Sequence, residues 1–334
     1  MSVLATTHPT MLDMAKRLDP GGKVTDIVEM LQQTNPILED MVVVEGNLPT
    51  GHKTTVRTGL PAPTWRKLYG GVQPGKSTTA QVIDSCGMLE AYAEVDKALA
   101  DLNGNTAAFR LSEDRGHIEG MNQEMASSLF YASEATEPEA FTGFAPRFNS
   151  LSAANAENII RPRGVTLDGN DNTSIWLVVW GPNTVHGIVP KGSKVGLQQE
   201  DKGQVTIENI DGAGGRMEAY RSHYRWDLGL TVRDWRYVVR IQIDAEDLTE
   251  SGATGPVLNG LMARALNRIP ALGMGRPVFY ANRDVLDFVD AQAALNTRTL
   301  FNTIEDAQGK YVTRFRGVPI KRVDTITSTE AAIV

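Results

Sequence analysis

The sequence predicts an α+β chain built on one long helix and several long antiparallel strands, and three observations carry that reading. Residues 105–132 place Leu111, Ile118, Met121, Met125 and Leu129 on one stripe at helical spacing, after a break at Asn103-Gly104. Ile175 to Trp180 is a continuous apolar run closed by Gly181-Pro182-Asn183, the pattern of a buried strand. From 228 onward Leu228, Leu230 and Val232 alternate, and then Trp235, Tyr237, Val239, Ile241 and Ile243 alternate one place out of phase. A turn or bulge is expected at Arg233-Asp234, between two antiparallel strands that each keep one wet face.

Size and charge bound the function. The chain has 334 residues, of which 41% are apolar, enough for a sizeable core and, at about 150 residues per domain, for roughly two domains. Forty acids against 33 Lys and Arg leave a net charge of −7, the wrong sign for a protein that neutralises many phosphates, so specific nucleic-acid binding is disfavoured. The single cysteine, Cys86, excludes a disulfide scaffold and reads as a packed small side chain rather than a nucleophile. The longest apolar run is far short of the ~20 residues that span a bilayer, and the first twenty residues lack the apolar stretch of a signal peptide. A soluble, intracellular product without membrane contact is expected.

Two short helices are predicted at the start. Met11, Met14, Ala15 and Leu18 share a stripe behind a Thr10 cap with Asp13 three residues on, and Asp19-Pro20-Gly21-Gly22 stops it. Val24, Ile27, Val28 and Leu31 repeat the spacing up to Asn35-Pro36. Helices under about 12 residues are marginal alone, so this arm needs a surface to lie on.

Residues 46–83 hold five basic side chains (Lys53, Arg57, Arg66, Lys67, Lys76) and no acid, with Pro61, Pro63, Pro74 and many Thr and Gly. That composition suits a long, exposed hairpin, which is unstable alone and whose edges invite pairing. From 87 to 140 the sign reverses: eleven acids face Lys97, Arg110 and Arg115. Two helices are predicted there, at 88–101 and 105–132, the second a rod of about 42 Å. Gly116 and Gly120 within it cost about 1 kcal/mol each relative to Ala, which a bend or close packing would have to offset. Further on, Val257, Leu258, Leu261, Met262, Ala265 and Leu266 form a helical face. Pro277–Ala281 gives a strand, Asn282 a helix cap before Val285, Leu286, Phe288 and Val289, and Gly317 the turn of a last hairpin, 311–323.

Catalytic motifs find no supporting context. Gly70-Gly71-Val72-Gln73-Pro74-Gly75-Lys76-Ser77 matches the P-loop letters, but a phosphate cradle must leave a buried strand and enter a helix N-terminus. Here Thr78 to Ile83 reads as strand, so a nucleotide-binding enzyme stands only as an alternative. Histidines 8, 52, 117, 186 and 223 have no second ligand three or four residues away, and no metal or cofactor is expected.

Arm, basic hairpin and acidic rod are each poorly satisfied in a monomer, and repeated copies would satisfy all three. The candidate contacts between copies are Met11, Met14, Leu18, Ile27, Val28 and Leu31 on the arm, Lys53, Arg57, Arg66, Lys67 and Lys76 on the hairpin, and Glu113, Asp114, Glu119 and Glu124 on the rod. The competing reading has hairpin and rod facing each other within one chain.

The order of arm, Gly/Thr/Pro-rich loop (44–86) and long helix (105–132) resembles the N-arm, E-loop and spine helix of tailed-bacteriophage major capsid proteins with the HK97-like fold. Pro277-Val278-Phe279-Tyr280-Ala281-Asn282, Asp306-Ala307-Gln308-Gly309-Lys310-Tyr311 and Gly317-Val318-Pro319-Ile320 resemble that family's A-domain block. Ile175 to Lys191 and the strands 224–243 resemble its P-domain strands, here placed before that block, a permuted order similar to the podovirus type of the Bordetella phage. The resemblance implies an arm at 1–44, an E-loop at 45–86, a P-domain at 87–245 and an A-domain at 246–334. It further implies hexamers and pentamers of this chain in an icosahedral virion shell around double-stranded DNA, assembled in the host cytoplasm with a portal and, in some phages, cement or scaffolding proteins. A cellular encapsulin-like compartment of the same fold is the related alternative. Some family members crosslink a loop lysine to a neighbour's asparagine; Lys53, Lys67 and Lys76 are the lysines placed for it, with no asparagine partner identified.

Overall fold

A computed structural model describes residues 8–16, 32–163, 165, 167–208, 213–250, 255–295, 301–305 and 311–334. Helix α1 (Met11–Lys16) and the one-turn α2 (Ile37–Asp40) precede strand β1 (Val43–Glu45) and the hairpin strands β2 (Gly51–Gly59) and β3 (Thr78–Asp96). After α3 (Lys97–Ala100) come the 26-residue α4 (Thr106–Tyr131) and α5 (Phe144–Arg147). Strands β4 (Ile159–Ile160), β5 (Asn172–Trp180), β6 (Val185–Val189), β7 (Gln198–Glu208), β8 (Arg216–Val232) and β9 (Val238–Asp244) follow. The remainder is α6 (Leu258–Arg268), β10 (Arg276–Ala281), α7 (Arg283–Leu295), β11 (Phe301–Glu305), β12 (Tyr311–Phe315) and β13 (Val318–Arg322). No helix among the described residues is long and apolar enough to cross a membrane.

The strands join in the order β11-β12-β13-β10-β5-β6-β8-β3-β2, with β9 also on β5 and β7 on β8. Every residue of β5 is buried, as its unbroken apolar run requires, because β9 and β10 flank it and helices cover it. Trp176 is ringed by Phe130, Phe144 and Phe148 at centroid distances of 5.7–6.2 Å. The C-terminal half of α4 brings Met125, Leu129 and Phe130 to this core. Each such side chain contributes about 1.5–3 kcal/mol by burial.

Several expectations hold. Asn282 caps α7 by accepting from the Val285 amide at 2.9 Å. Arg316 and Gly317 both have positive φ, 49° and 85°, forming the β12–β13 turn that the Gly predicted. Three expectations fail for physical reasons. Residues 88–96 are strand, continuing β3 along β8, rather than helix. Leu89, Ala91, Ala93 and Val95 alternate with Glu90, Tyr92 and Glu94, and pairing with β8 lets that period of two override good helix formers. On α4, Leu111 and Ile118 are exposed, while Phe109 and Asp114 point inward in that half of the helix.

Strand β9, finally, has no wet face between Val238 and Ile243. Arg240 is therefore enclosed. Its guanidinium donates to Glu330 and Phe148 O, both at 2.8 Å, and to Ser174 Oγ at 2.9 Å, and lies 5.1 Å over the Trp176 ring. Glu330 also accepts from Tyr131 OH at 2.7 Å and from Ser174 Oγ. Burial and the Glu330 charge push the Tyr131 hydroxyl above its ordinary range.

Candidate functional site

The hairpin leaves the body through a close-packed root. β2 and β3 pair from Gly51↔Ser85 outward to Gly59↔Thr78. A Cβ on Gly51 would lie 2.1 Å from Asp84 O, so only glycine fits there. Buried Asp84 takes a 2.9 Å salt bridge from Arg147, which also donates to Thr142 O and Leu230 O and so rivets the root to the body. Cys86 sits beside this root; burial, Asp227 and Asp84 push its thiol up to about 12, an unreactive setting.

Beyond Gly59 the tip stands clear of its own chain. Leu60, Trp65, Leu68 and Tyr69 are each at least 80% exposed, Trp65 completely so. The tip holds its shape by a local turn in which Gly70 N donates to Lys67 O and Arg66 Nε to Gly70 O, both at 3.0 Å, with Tyr69 at φ 60°. Lys53, Arg57, Arg66, Lys67 and Lys76 are all exposed, and none joins an ion pair among the described residues. The P-loop letters Gly70–Ser77 lie within this tip, and Ser77 runs into strand β3, so no helix N-terminus faces the loop. Among the described residues no ion pair joins the hairpin cations to the acids of the rod.

The acids of the rod divide. Asp114 is buried next to Ser222, and its presence, after burial itself, raises the Tyr224 hydroxyl to about 12. It is an internal partner, not a surface contact, because the first half of α4 packs that face on β8. Glu119 accepts from Gln33 N at 3.0 Å and Gln123 Nε2 at 2.8 Å, so it receives the incoming arm of its own chain. Glu113 is half-buried and Glu124 exposed.

The arm is likewise divided. Thr10 and Asp13 form the expected cap, with Thr10 N donating to Asp13 at 3.0 Å. Met11 is exposed, but Met14 is buried in its own chain against Val95, Ala100 and Phe109, since β3, α3 and α4 leave an apolar hollow that one helical turn fills. Leu18, Ile27, Val28 and Leu31 lie outside the described residues. Sequence reasoning missed the exposed apolar component of the tip. The signal was present in Leu60, Trp65, Leu68 and Tyr69, large side chains in a segment with no apolar alternation to bury them.

The family model of the major capsid protein GP7 matches residues 19–334. A chain of the cryo-EM structure of bacteriophage epsilon15 is 40% identical, with 100% of this chain and 99% of that chain covered and a TM-score of 0.79. A chain of the bacteriophage JBD30 capsid is 8% identical over 90% of this chain and 95% of its own, with a TM-score of 0.48. One of the SrpI encapsulin complex from Synechococcus elongatus is 12% identical over 68% and 93%, with a TM-score of 0.40. The last two are too distant to carry an argument. No curated protein matches the chain. With nearly the whole chain matched by the family model and the epsilon15 chain similar from end to end, this α+β protein of HK97-like fold belongs to the GP7 family of phage major capsid proteins, the self-assembling subunits of the virion shell.

Proposed function

We propose that copies of this chain are joined through the hairpin tip, tiling as hexamers and pentamers around double-stranded DNA, with a portal at one opening and, where the phage uses them, cement or scaffolding proteins. In this reading residues 1–44 are the arm, 45–86 the extended loop, 87–245 the spine and P-domain, and 246–334 the A-domain. The observation that carries it is the tip itself: four large apolar side chains and three cations, Arg66, Lys67 and Lys76, held in water by a rigid root. A monomer gains nothing from displaying them, whereas heterologous contacts between copies bury the apolar surface and orient the charges. The net negative charge suits a wall that must not grip its contents.

Arg66→Glu combined with Lys67→Glu tests this. The variant subunit should unfold at the temperature of the parent, since neither side chain contacts the body, while shell yield by electron microscopy falls, most at low salt where screening is weakest. Normal shells from that variant would remove the tip charges from assembly.

A further inference from the structure

Two rows of like charge lie on the body, opposite in sign and each short of its counter-charge. Residues 251–283 hold Arg264, Arg268, Arg276 and Arg283 and no acid, while residues 284–297 hold Asp284, Asp287 and Asp290 and no base. The basic row gathers on α6, which packs over β9 and its neighbour β4. Arg264 donates to Arg161 O at 3.2 Å, just past the end of β4. Burial, then the charges of Arg163 and Arg268, push the Arg264 guanidinium below its ordinary range, so the three cations stand close together. Among the described residues the one ion pair that any of the three makes is Arg268 with Glu157, a 3.7 Å contact between exposed side chains.

The acidic row is on α7. Val285 and Val289 face the core, and Asp284, Asp287 and Asp290 are exposed with no ion pair among the described residues. Asp284 sits in the first turn, where the helix dipole favours an acid. Asp287 and Asp290 have no such reason: three residues apart they repel, and burial together with Asp287 pushes the Asp290 carboxyl above its ordinary range. The rows do not relieve each other inside the chain. α7 reaches the N-terminal end of α6, where Gln292 accepts from Leu258 N at 2.9 Å, whereas Arg264 and Arg268 lie about two and three turns further along, beside the segment that follows β4.

We propose that the row of Arg163, Arg264 and Arg268 on one copy seats the Asp287–Asp290 face of α7 on the next copy, a joint between bodies that does not involve the hairpin. It rests on the reading that copies of this chain tile in rings. The two rows are different surfaces, so the contact runs head to tail, and one rotation repeated at every joint closes it into a ring. Exposed ion pairs are weak singly, but this joint relieves two repulsions that the lone subunit carries, and guanidinium forks match carboxylates in a fixed geometry that sets partner and direction. Duplex DNA is the poorer occupant of the arginine row, because its phosphates would leave the aspartate row unsatisfied.

Charge exchange on the full chain decides it. Arg163→Glu with Arg268→Glu, and separately Asp287→Lys with Asp290→Lys, change exposed side chains, so each subunit should melt with the parent while its shell yield falls about tenfold. The four substitutions together should restore most of the parent's yield, because every joint then pairs glutamate with lysine. Undiminished yield in either reversed variant would overturn the proposal. So would failure of the combined variant to recover, which would show that the rows meet DNA or another protein instead. Should a reversed subunit fold poorly, Arg163→Lys with Arg268→Lys keeps the charge and supplies amines for carbodiimide coupling in shells built from isotopically light and heavy subunits. Coupled peptides joining position 163 or 268 to position 287 or 290 across the two isotopes are expected; their absence, or their confinement to one isotope, would overturn the joint. The two readings fail separately: lost assembly in Arg66→Glu/Lys67→Glu beside undiminished yield in both reversed variants keeps the tip and rejects only this joint. Normal shells from the tip variant beside rescue by charge exchange reject the tip and keep the joint.

Discussion

Strand β5 and the hairpin tip are both rich in aromatic and aliphatic side chains, and their surroundings are opposite. Trp176 and Trp180 are wholly buried between β9, β10 and a ring of phenylalanines, while Trp65 and Tyr69 stand in water at the end of a rigid hairpin. The body closes on itself down to its charges, as Arg240 and Glu330 show. The tip is left open, and no contact in its own chain compensates for that. A subunit whose body is closed and whose tip is not suits the proposed joint, in which the exposed apolar surface would be buried against other copies.

The largest expected effect tests the closure of the body. Glu330→Ala leaves the Arg240 guanidinium buried without its counter-charge and should destabilise the subunit by about 3–5 kcal/mol in urea unfolding. A loss below about 1 kcal/mol would mean that water reaches this site and that the body is no more sealed than the tip.

A pH titration sharpens the same contrast. His186, buried on β6 with the His52 ring edge-on at 5.8 Å, has its pKa lowered to about 4 by burial, His52 and Arg233. As pH falls from about 6.5 towards 4 the unfolded chain takes up a proton that the folded chain refuses, so stability falls across that window. Urea midpoints measured from pH 7 to 4 should drop for the parent, and His186→Gln should flatten that part of the curve. An unchanged slope would show that the ring is already solvated.

The smallest effect on the subunit belongs to the tip. Trp65→Ala with Tyr69→Ala should alter unfolding free energy by less than about 0.5 kcal/mol, because neither ring touches the body. A loss of 2 kcal/mol or more would show that the tip packs on its own chain in solution, and the comparison would collapse.

How far the sequence could be read depended on whether a segment's partners were local. The β5 run, the long α4, the Asn282 cap, the Gly317 turn and the charge reversal between hairpin and rod were legible, since periodicity, capping and turn chemistry are written within a few residues. Leu89 to Val95 was misread because Leu, Glu and Ala favour helix in isolation; the clean alternation beside them counted only once β8 supplied a paired edge. Arg240, alternating with Val239 and Ile241, fell on the expected wet face of its strand; its partner Glu330 lies ninety residues away, and no local rule could name it. Of the candidate contacts, the exposure of Lys53, Arg57, Arg66, Lys67 and Lys76 was readable from composition, whereas Met14 and Asp114 went inward because hollows formed by distant strands required filling.

What the sequence determined by itself is the division of labour: a basic loop without acids, an acidic helix, and an apolar strand that must be buried on both faces, each fixed by local composition and period. What only the tertiary structure decided is which of these surfaces the chain satisfies alone. Burial depends on residues far apart in sequence arriving together, so the enclosed Arg240–Glu330 pair, the filled hollow at Met14 and the open space over Gly116 and Gly120 exist only after the strands have paired.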